Sequence, residues 1–375
     1  MVPSMPAESG RFAERLGSLG RVVQWGVHEL ELAALRRAHP LRYLFLEVTR
    51  RCNLQCAYCG SSCGPEIERD ELSIDQWKEV VQQIARDFEA PQVMVAITGG
   101  EPLMKKGVID LMAEIDRLGF PFGMVTNGHL VSAKTAEKLV AAGIDSITLS
   151  MDAPRALNDE LRGAGSGEAV AKAVENLRAA GYQGILEIFS TVTTPALAEL
   201  GRMRDQVAKM RISRWRVSPV MPIGRAAQRP DLVPDAAGVR RLLEFVRTSR
   251  EDGLLPVPES CEEGFLGRRY EGKVRPYLWA CLSGITVGGI LCDGRIGACP
   301  ELADAFVQGD VKRERFRDVW ESRYQALRDR SWATNGICHD CEELRRCQGG
   351  ALHLYRSQDE EPLRCLYQMA VAGQP

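Results

Sequence analysis

The 375-residue chain has no stretch approaching the roughly 20 uninterrupted apolar residues that a membrane-spanning helix requires. Neither charge is in surplus: 48 Lys and Arg stand against 50 Asp and Glu, a net charge of −2. There is therefore no basic stripe for a nucleic-acid backbone, and no nucleic-acid partner is expected. The opening residues, MVPSMPAESGRFAERLGSLG, lack the basic-then-apolar layout of a secretory signal, so a cytoplasmic location is expected. No low-complexity tract occurs, and cysteine is missing from the whole stretch between Cys63 and Cys261.

What is present is the composition of a soluble globular protein, 45% apolar and 26% charged. The length allows a substantial core, as two domains or as one barrel plus an appendage. Twelve cysteines are many, and they fall in two groups: Cys52, Cys56, Cys59 and Cys63, then eight between Cys261 and Cys365. Without a secretory signal, cysteines clustered at short spacings read as metal sites in a reducing compartment rather than as a disulfide framework.

Residues 10–37 read as a helix, with Leu16, Leu19, Val22, Val23 and Trp25 among its apolar members, forming a prefix packed on the main domain. From residue 43 strand and helix alternate. The strands are YLFLEV, VMVAIT (93–98), FGMVTN (122–127), SITLSM (146–151), ILEIFSTV (185–192) and RWRVSPV (214–220). Ser73 and Gln76 form a capping box for the first intervening helix, and Gly119, Gly143 and Gly181 stop later ones. Nearly continuous apolar strands alternating with helices predict a parallel sheet covered on its outer face. Six such units over about 190 residues fit a partial (β/α)6 parallel barrel, in the α/β class. PIGRAAQRPDLVPD (222–235) reads as a boundary, and beyond 256 apolar segments shorten while cysteines accumulate. The expected organisation is a helical prefix (1–40), a barrel (41–235) and a small cysteine-rich domain (236–375) held by metal.

In parallel barrels the chemistry sits at the C-terminal ends of the strands, and the motif segments all fall there. Cys52, Cys56 and Cys59, in CNLQCAYC, follow the first strand at C-x-x-x-C-x-x-C spacing. Clusters of the [4Fe–4S] type are ordinarily held by four thiolates. Three on one loop leave one iron open to an exogenous ligand; the same thiols could instead hold zinc with a fourth ligand elsewhere. Thr98-Gly99-Gly100-Glu101-Pro102 follows the second strand, with two glycines that permit close backbone approach and a carboxylate that can accept from an ammonium.

Together these segments, including Tyr58 before the third cysteine, resemble the signature of the radical S-adenosylmethionine (radical SAM) enzymes. The resemblance implies a [4Fe–4S] cluster on Cys52, Cys56 and Cys59, with the amino and carboxylate groups of S-adenosylmethionine on the open iron. Gly99, Gly100 and Glu101 would contact the methionyl amine. Ser150-Met151-Asp152 resembles the family's segment near the ribose, Asn158–Gly163 the one whose arginine (Arg162) reaches the cofactor carboxylate, and Thr126-Asn127-Gly128 a further cofactor turn. Tyr58, Asn127, Ser150 and Arg162 are thus expected at the cofactor, though capping and turn chemistry would explain the same residue types. Cys63 could close the cluster as an electron carrier, but the TGGEP turn would then have no task.

The later cysteines resemble the SPASM extension of this superfamily, which hosts auxiliary iron–sulfur clusters. Cys338-x2-Cys341-x5-Cys347, with Cys365 seventeen residues on, supplies four thiolates for one auxiliary [4Fe–4S] cluster. Cys281, twelve residues and then Gly294-x4-Cys299 match the rest, but Ala351 stands where the family's further cysteine is expected. A second auxiliary site using Cys281, Cys299 and Cys261, with Cys292 as competitor, is therefore altered, open or without a cluster. Zinc shares such spacings. The match spans roughly residues 40–370 and looks close to a group occurring in systems paired with a lipoprotein.

The resemblance implies that a reduced cluster cleaves S-adenosylmethionine to methionine and a 5′-deoxyadenosyl radical, which abstracts hydrogen from a substrate C–H bond. An auxiliary cluster that accepts the remaining electron implies an oxidative outcome on a peptide or protein, with flavodoxin or ferredoxin as electron donor. The alternatives are side-chain chemistry on a tetrapyrrole and, in another class, a non-catalytic iron–sulfur or zinc scaffold. His129, His339 and His353 are expected at the surface or near clusters.

Overall fold

The computed structural model describes residues 8–66, 70–253, 255–261 and 263–371, with side chains from residue 23 onward. Leu16, Leu19 and Val22 lie outside the described side chains. The chain divides into two units, Met1–Pro40 and Leu41–Pro375. The first contains one long helix, α1 (Glu8–Ala38). No helix among the described residues is long and apolar enough to cross a membrane.

In the second unit strands and helices alternate as β1 (Tyr43–Glu47), α2 (Ile74–Asp87), β2 (Met94–Thr98), α3 (Val108–Arg117), β3 (Phe122–Thr126), α4 (Ala133–Ala141) and β4 (Ser146–Ser150). There follow α5 (Arg155–Arg162), α6 (Ser166–Ala179), β5 (Ile185–Val192), α7 (Leu200–Lys209), β6 (Arg214–Pro219) and α8 (Ala236–Glu251). Strands β1–β6 pair in parallel in chain order. The register sets Glu47 beside Thr98 and Ser150 beside Phe189, so the strands end along one rim.

Local chemistry explains these boundaries. The Ser73 hydroxyl accepts from Gln76 N at 3.2 Å while Ser73 N donates to Gln76 Oε1 at 2.8 Å, closing the expected capping box. The connection after β4, read from sequence as one helix, is two: Gly163 and Gly165 take positive φ and break it. Leu44, Leu46, Ile97, Leu149, Ile188 and Val217 on the strands, and Trp77, Leu111, Leu139, Leu177 and Val207 on the helices, are all buried. Burial of each large apolar side chain contributes about 1.5–3 kcal/mol.

The sheet exceeds the six expected strands. β7 (Pro258–Ser260) adds in parallel beside β6, and β8 (Val287–Ile290) in parallel beside β1; β9 (Arg295–Gly297) and β10 (Gly309–Asp310) continue antiparallel. Both ends of the barrel sheet are thus extended by the cysteine-rich part of the chain. Cys261 directly follows β7, and Cys292 lies two residues beyond β8.

Candidate active site

The cysteine loop leaves β1 and continues to pair with the glycine turn that leaves β2. Gly100 N donates to Thr49 O at 2.8 Å and Glu101 N to Arg51 O at 2.9 Å. A Cβ on Gly99 would stand 2.3 Å from Thr49 O, and one on Gly100 2.4 Å from Arg51 O. Glycine is required here because two loop backbones touch. Glu71 clamps the same junction, accepting from Thr49 Oγ1 at 2.7 Å, Arg50 N at 3.0 Å and Lys105 Nζ at 3.0 Å. Burial alone would raise the Glu71 carboxyl, but these donors bring it below its usual range.

The segment read from sequence as a boundary closes the loop from the other side. Arg225 donates through Nε to Cys56 O at 2.8 Å and through its guanidinium to Cys63 O at 2.7 Å, and its backbone N–H to Cys59 O at 3.0 Å. At Gly224 a Cβ would meet Gly60 O at 2.1 Å. The fork of an arginine suits two carbonyls at once, where a lysine would reach one.

Within this frame Cys52, Cys56, Cys59 and Cys63 line one cavity of about 130 Å³, together with Thr98, Gly99, Gly100, Asn127, Ser150 and Arg162. Burial pushes the Cys52 thiol up to about 11 and raises Cys56. Cys63 donates to Cys59, which is brought down to about 5 against its burial, while Cys63 itself is raised. Cys63, left aside by the sequence motif, therefore stands directly beside a motif thiol. Among the described residues no group of three or more His, Cys, Asp or Glu side chains is arranged to cage a single ion. The thiols instead line a cavity together with the glycine turn and polar side chains. That donor set fits a cluster with a polar, chelating nucleotide beside it.

The polar residues divide into two sets. Asn127 donates to Asn53 Oδ1 at 2.8 Å and reaches Cys52 Sγ at 3.8 Å. Glu101 has a fully enclosed carboxylate behind the cavity wall, accepting from Thr126 Oγ1 at 2.8 Å, Asn127 N at 2.8 Å and Leu103 N at 3.2 Å. Burial raises its pKa despite these donors. Asp152 accepts from Tyr58 Oη, from Arg162 at 2.5 Å and from Thr191 N at 2.7 Å. Arg162 is thereby fixed with its guanidinium between this cavity and a second one of about 190 Å³. That second cavity is lined by Cys56, Tyr58, Cys59 and Phe189 together with Glu263 and Glu301.

Of the later cysteines, Cys338, Cys341, Cys347 and Cys365 are brought around one small cavity. Burial raises Cys338, Cys347 and Cys365. Burial raises the Cys299 thiol well above its usual value, and the charges of Glu301, Cys281 and Glu263 add to it. The Cys261 thiol accepts from Arg216 at 3.7 Å, and the fully buried Arg275 holds Cys261 O at 3.1 Å and Gly264 O at 2.8 Å. Cys292 is elsewhere, among Glu47, Glu71 and Arg50. Sequence reasoning left Glu71, Arg225, Arg275, Glu263 and Glu301 unassigned. Only Glu263 and Glu301 carried a signal, each two residues after a cysteine.

A parallel barrel whose rim gathers a three-thiol motif loop, a glycine turn and a buried arginine is the frame of an enzyme that holds a cluster and a nucleotide together. The radical SAM superfamily profile matches residues 46–197, and the iron–sulfur cluster-binding SPASM domain matches residues 281–342. The mycofactocin maturase MftC of Mycolicibacterium smegmatis is 30% identical, over 82% of this chain and 76% of that protein. The AdoMet-dependent heme synthase of Methanosarcina barkeri is 24% identical, over 87% of this chain and 96% of that protein. Among solved structures, SuiB of Streptococcus suis bound to S-adenosylmethionine superposes with a TM-score of 0.68 at 20% identity, covering 88% of this chain and 77% of that one. The chain belongs to the radical SAM superfamily, and within it to the enzymes that carry a SPASM domain. It is accordingly a radical SAM enzyme whose cofactors are a [4Fe–4S] cluster and S-adenosylmethionine.

Proposed function

We propose that this enzyme carries out an oxidative modification of a peptide or protein side chain in the cavity between the cysteine loop and the cysteine-rich domain (236–375). When bound, the reduced cluster and S-adenosylmethionine supply the 5′-deoxyadenosyl radical that removes hydrogen from a substrate C–H bond. Cys52, Cys56 and Cys59 hold the cluster. Gly99, Gly100, Asn127, Ser150 and Arg162 seat the nucleotide, with Glu101 bracing the turn and Tyr58 and Asp152 fixing Arg162. Cys338, Cys341, Cys347 and Cys365 hold an auxiliary cluster, and a flavodoxin or ferredoxin of the cytoplasm delivers the electron.

The observation that supports the substrate class is the second cavity beside the motif loop: at about 190 Å³ and lined by Cys56, Cys59, Arg162, Phe189 and Thr191, it has room for a side chain next to the motif thiols. Similarity to MftC, named a maturase, and to SuiB, also solved with the precursor peptide SuiA, points the same way. The similarity to heme synthases favours a tetrapyrrole as the second reading.

The test is anaerobic co-expression with the short reading frames that flank the gene, followed by mass spectrometry of peptides and an absorption spectrum of the purified enzyme. A peptide that has lost two hydrogens or carbon dioxide, only when the enzyme is active, is the expected result. A porphyrin-type band co-purifying with the enzyme, and no altered peptide, would overturn it.

A further inference from the structure

Among the described residues, the second cavity holds more carboxylate than cation. Arg162 is paired with Asp152 at 2.5 Å, and Glu263 with His353, whose Nε2 stands 2.9 Å from Glu263 Oε2. Glu301 has no such partner: no described residue forms an ion pair or a hydrogen bond with its carboxylate. It stands against the motif loop. A Cβ on Gly60, the residue after Cys59, would come 2.8 Å from Glu301 Oε1 and 3.3 Å from Ile223 Cδ1. Glu301 lines the cavity of the motif thiols as well, so it sits where the two cavities adjoin. Its side chain is accessible although it lies deep in the molecule, because it opens on these spaces. Burial raises its carboxyl to about 7 against the opposing charge of His353, so a further cation beside it would favour the charged form.

Much of the remaining lining is apolar: Phe189, Pro219, Val220, Met221 and Ile223. An apolar cavity that carries one unpaired carboxylate has the chemistry to receive a long cationic side chain, whose methylene stem is apolar and whose head is charged. We propose that Glu301 selects the substrate by charge, receiving the ammonium or guanidinium of a lysine or arginine side chain whose stem lies along these apolar residues. An acidic side chain would meet repulsion there, and a neutral one would leave the carboxylate enclosed without a partner. Glu263, already paired with His353, is not free to do the same.

This inference rests on the reading that the second cavity receives a peptide or protein side chain, and the experiment separates the two. The full-length enzyme, reconstituted anaerobically and saturated with S-adenosylmethionine, is titrated with N-acetyl-lysine amide, N-acetyl-norleucine amide and N-acetyl-glutamate amide, with binding followed by saturation-transfer NMR. Wild type is expected to hold the lysine probe about tenfold or more tighter than the norleucine probe, which lacks the charge, and the glutamate probe least of all. Glu301→Gln should abolish the preference for lysine, and Glu301→Lys should pass it to the glutamate probe; iron content checks that both variants are folded. A wild type that binds the lysine and norleucine probes equally or not at all, or a lysine preference that survives Glu301→Gln, would overturn the inference. Should the probes behave as expected while co-expression yields no altered peptide, selection by charge stands and the peptide reading falls. An altered peptide bound equally well by wild type and Glu301→Gln would keep that reading and sink the role of Glu301.

Discussion

At the scale of single residues, the site depends on polar side chains that hold backbone in place. Arg225 satisfies two carbonyls of the cysteine loop, those of Cys56 and Cys63. Hydrogen bonds from a charged group are worth about 1.5–3 kcal/mol each. Arg225→Ala is therefore expected to lower iron at the motif loop by up to about four per chain and to cut 5′-deoxyadenosine formation more than about tenfold. Arg225→Lys should restore little of either, because one ammonium cannot bridge both oxygens. Iron analysis and a dithionite-driven cleavage assay check this; wild-type values in Arg225→Ala would contradict it. Glu101 makes a parallel case. Its buried carboxylate orders Thr126, Asn127 and Leu103, so Glu101→Gln should weaken S-adenosylmethionine binding about tenfold or more in equilibrium dialysis. An unchanged affinity would show that this ordering does not reach the nucleotide.

At the scale of elements, the rim is assembled by loops that lean on each other, and Glu71 joins the loop after β1 to that after β2. Its folded pKa lies below the usual carboxylate value, so its contribution is present above about pH 4.5 and is lost as pH falls through the folded value. Glu71→Gln should then destabilise the reconstituted enzyme at pH 7 by on the order of 1 kcal/mol, and the gap to wild type should close as pH drops toward 4. Thermal unfolding of both proteins across that range measures it; a gap of constant size would rule out this role. The strands and helices that carry these loops were legible in sequence, because five-residue apolar runs and a side-chain cap such as Ser73 leave local signals. The break between α5 and α6 was not, since an amphipathic pattern runs on through Gly163 and Gly165. Nor were β7–β10, whose two to four residues are too few for a period. Glu71 and Arg225 were invisible because a polar residue in a loop has no spacing that announces its partner. The thiols and the glycine turn were legible because the spacing itself carries their chemistry.

At the scale of the whole molecule, the cysteine-rich part is continuous with the barrel rather than appended to it. It supplies the strands beyond β1 and β6, and it brings Glu263 and Glu301 to the cavity that Cys56, Cys59 and Arg162 line. Substrate held there would face Cys56, Cys59 and these two carboxylates, and the proposed oxidation drains its electron to the cluster on the later thiols. Cys341→Ala should consequently leave cofactor cleavage intact while product formation stops; product at wild-type level would make the tail site dispensable. The central claim is narrower: the iron held by Cys52, Cys56 and Cys59 keeps a position for the nucleotide, although Cys63 stands beside it. EPR of the reduced enzyme, recorded before and after addition of S-adenosylmethionine and repeated in Cys63→Ala, measures this most directly. The account predicts a changed signal on addition in both proteins and none from this cluster in Cys56→Ala. A wild-type signal indifferent to the nucleotide would contradict it.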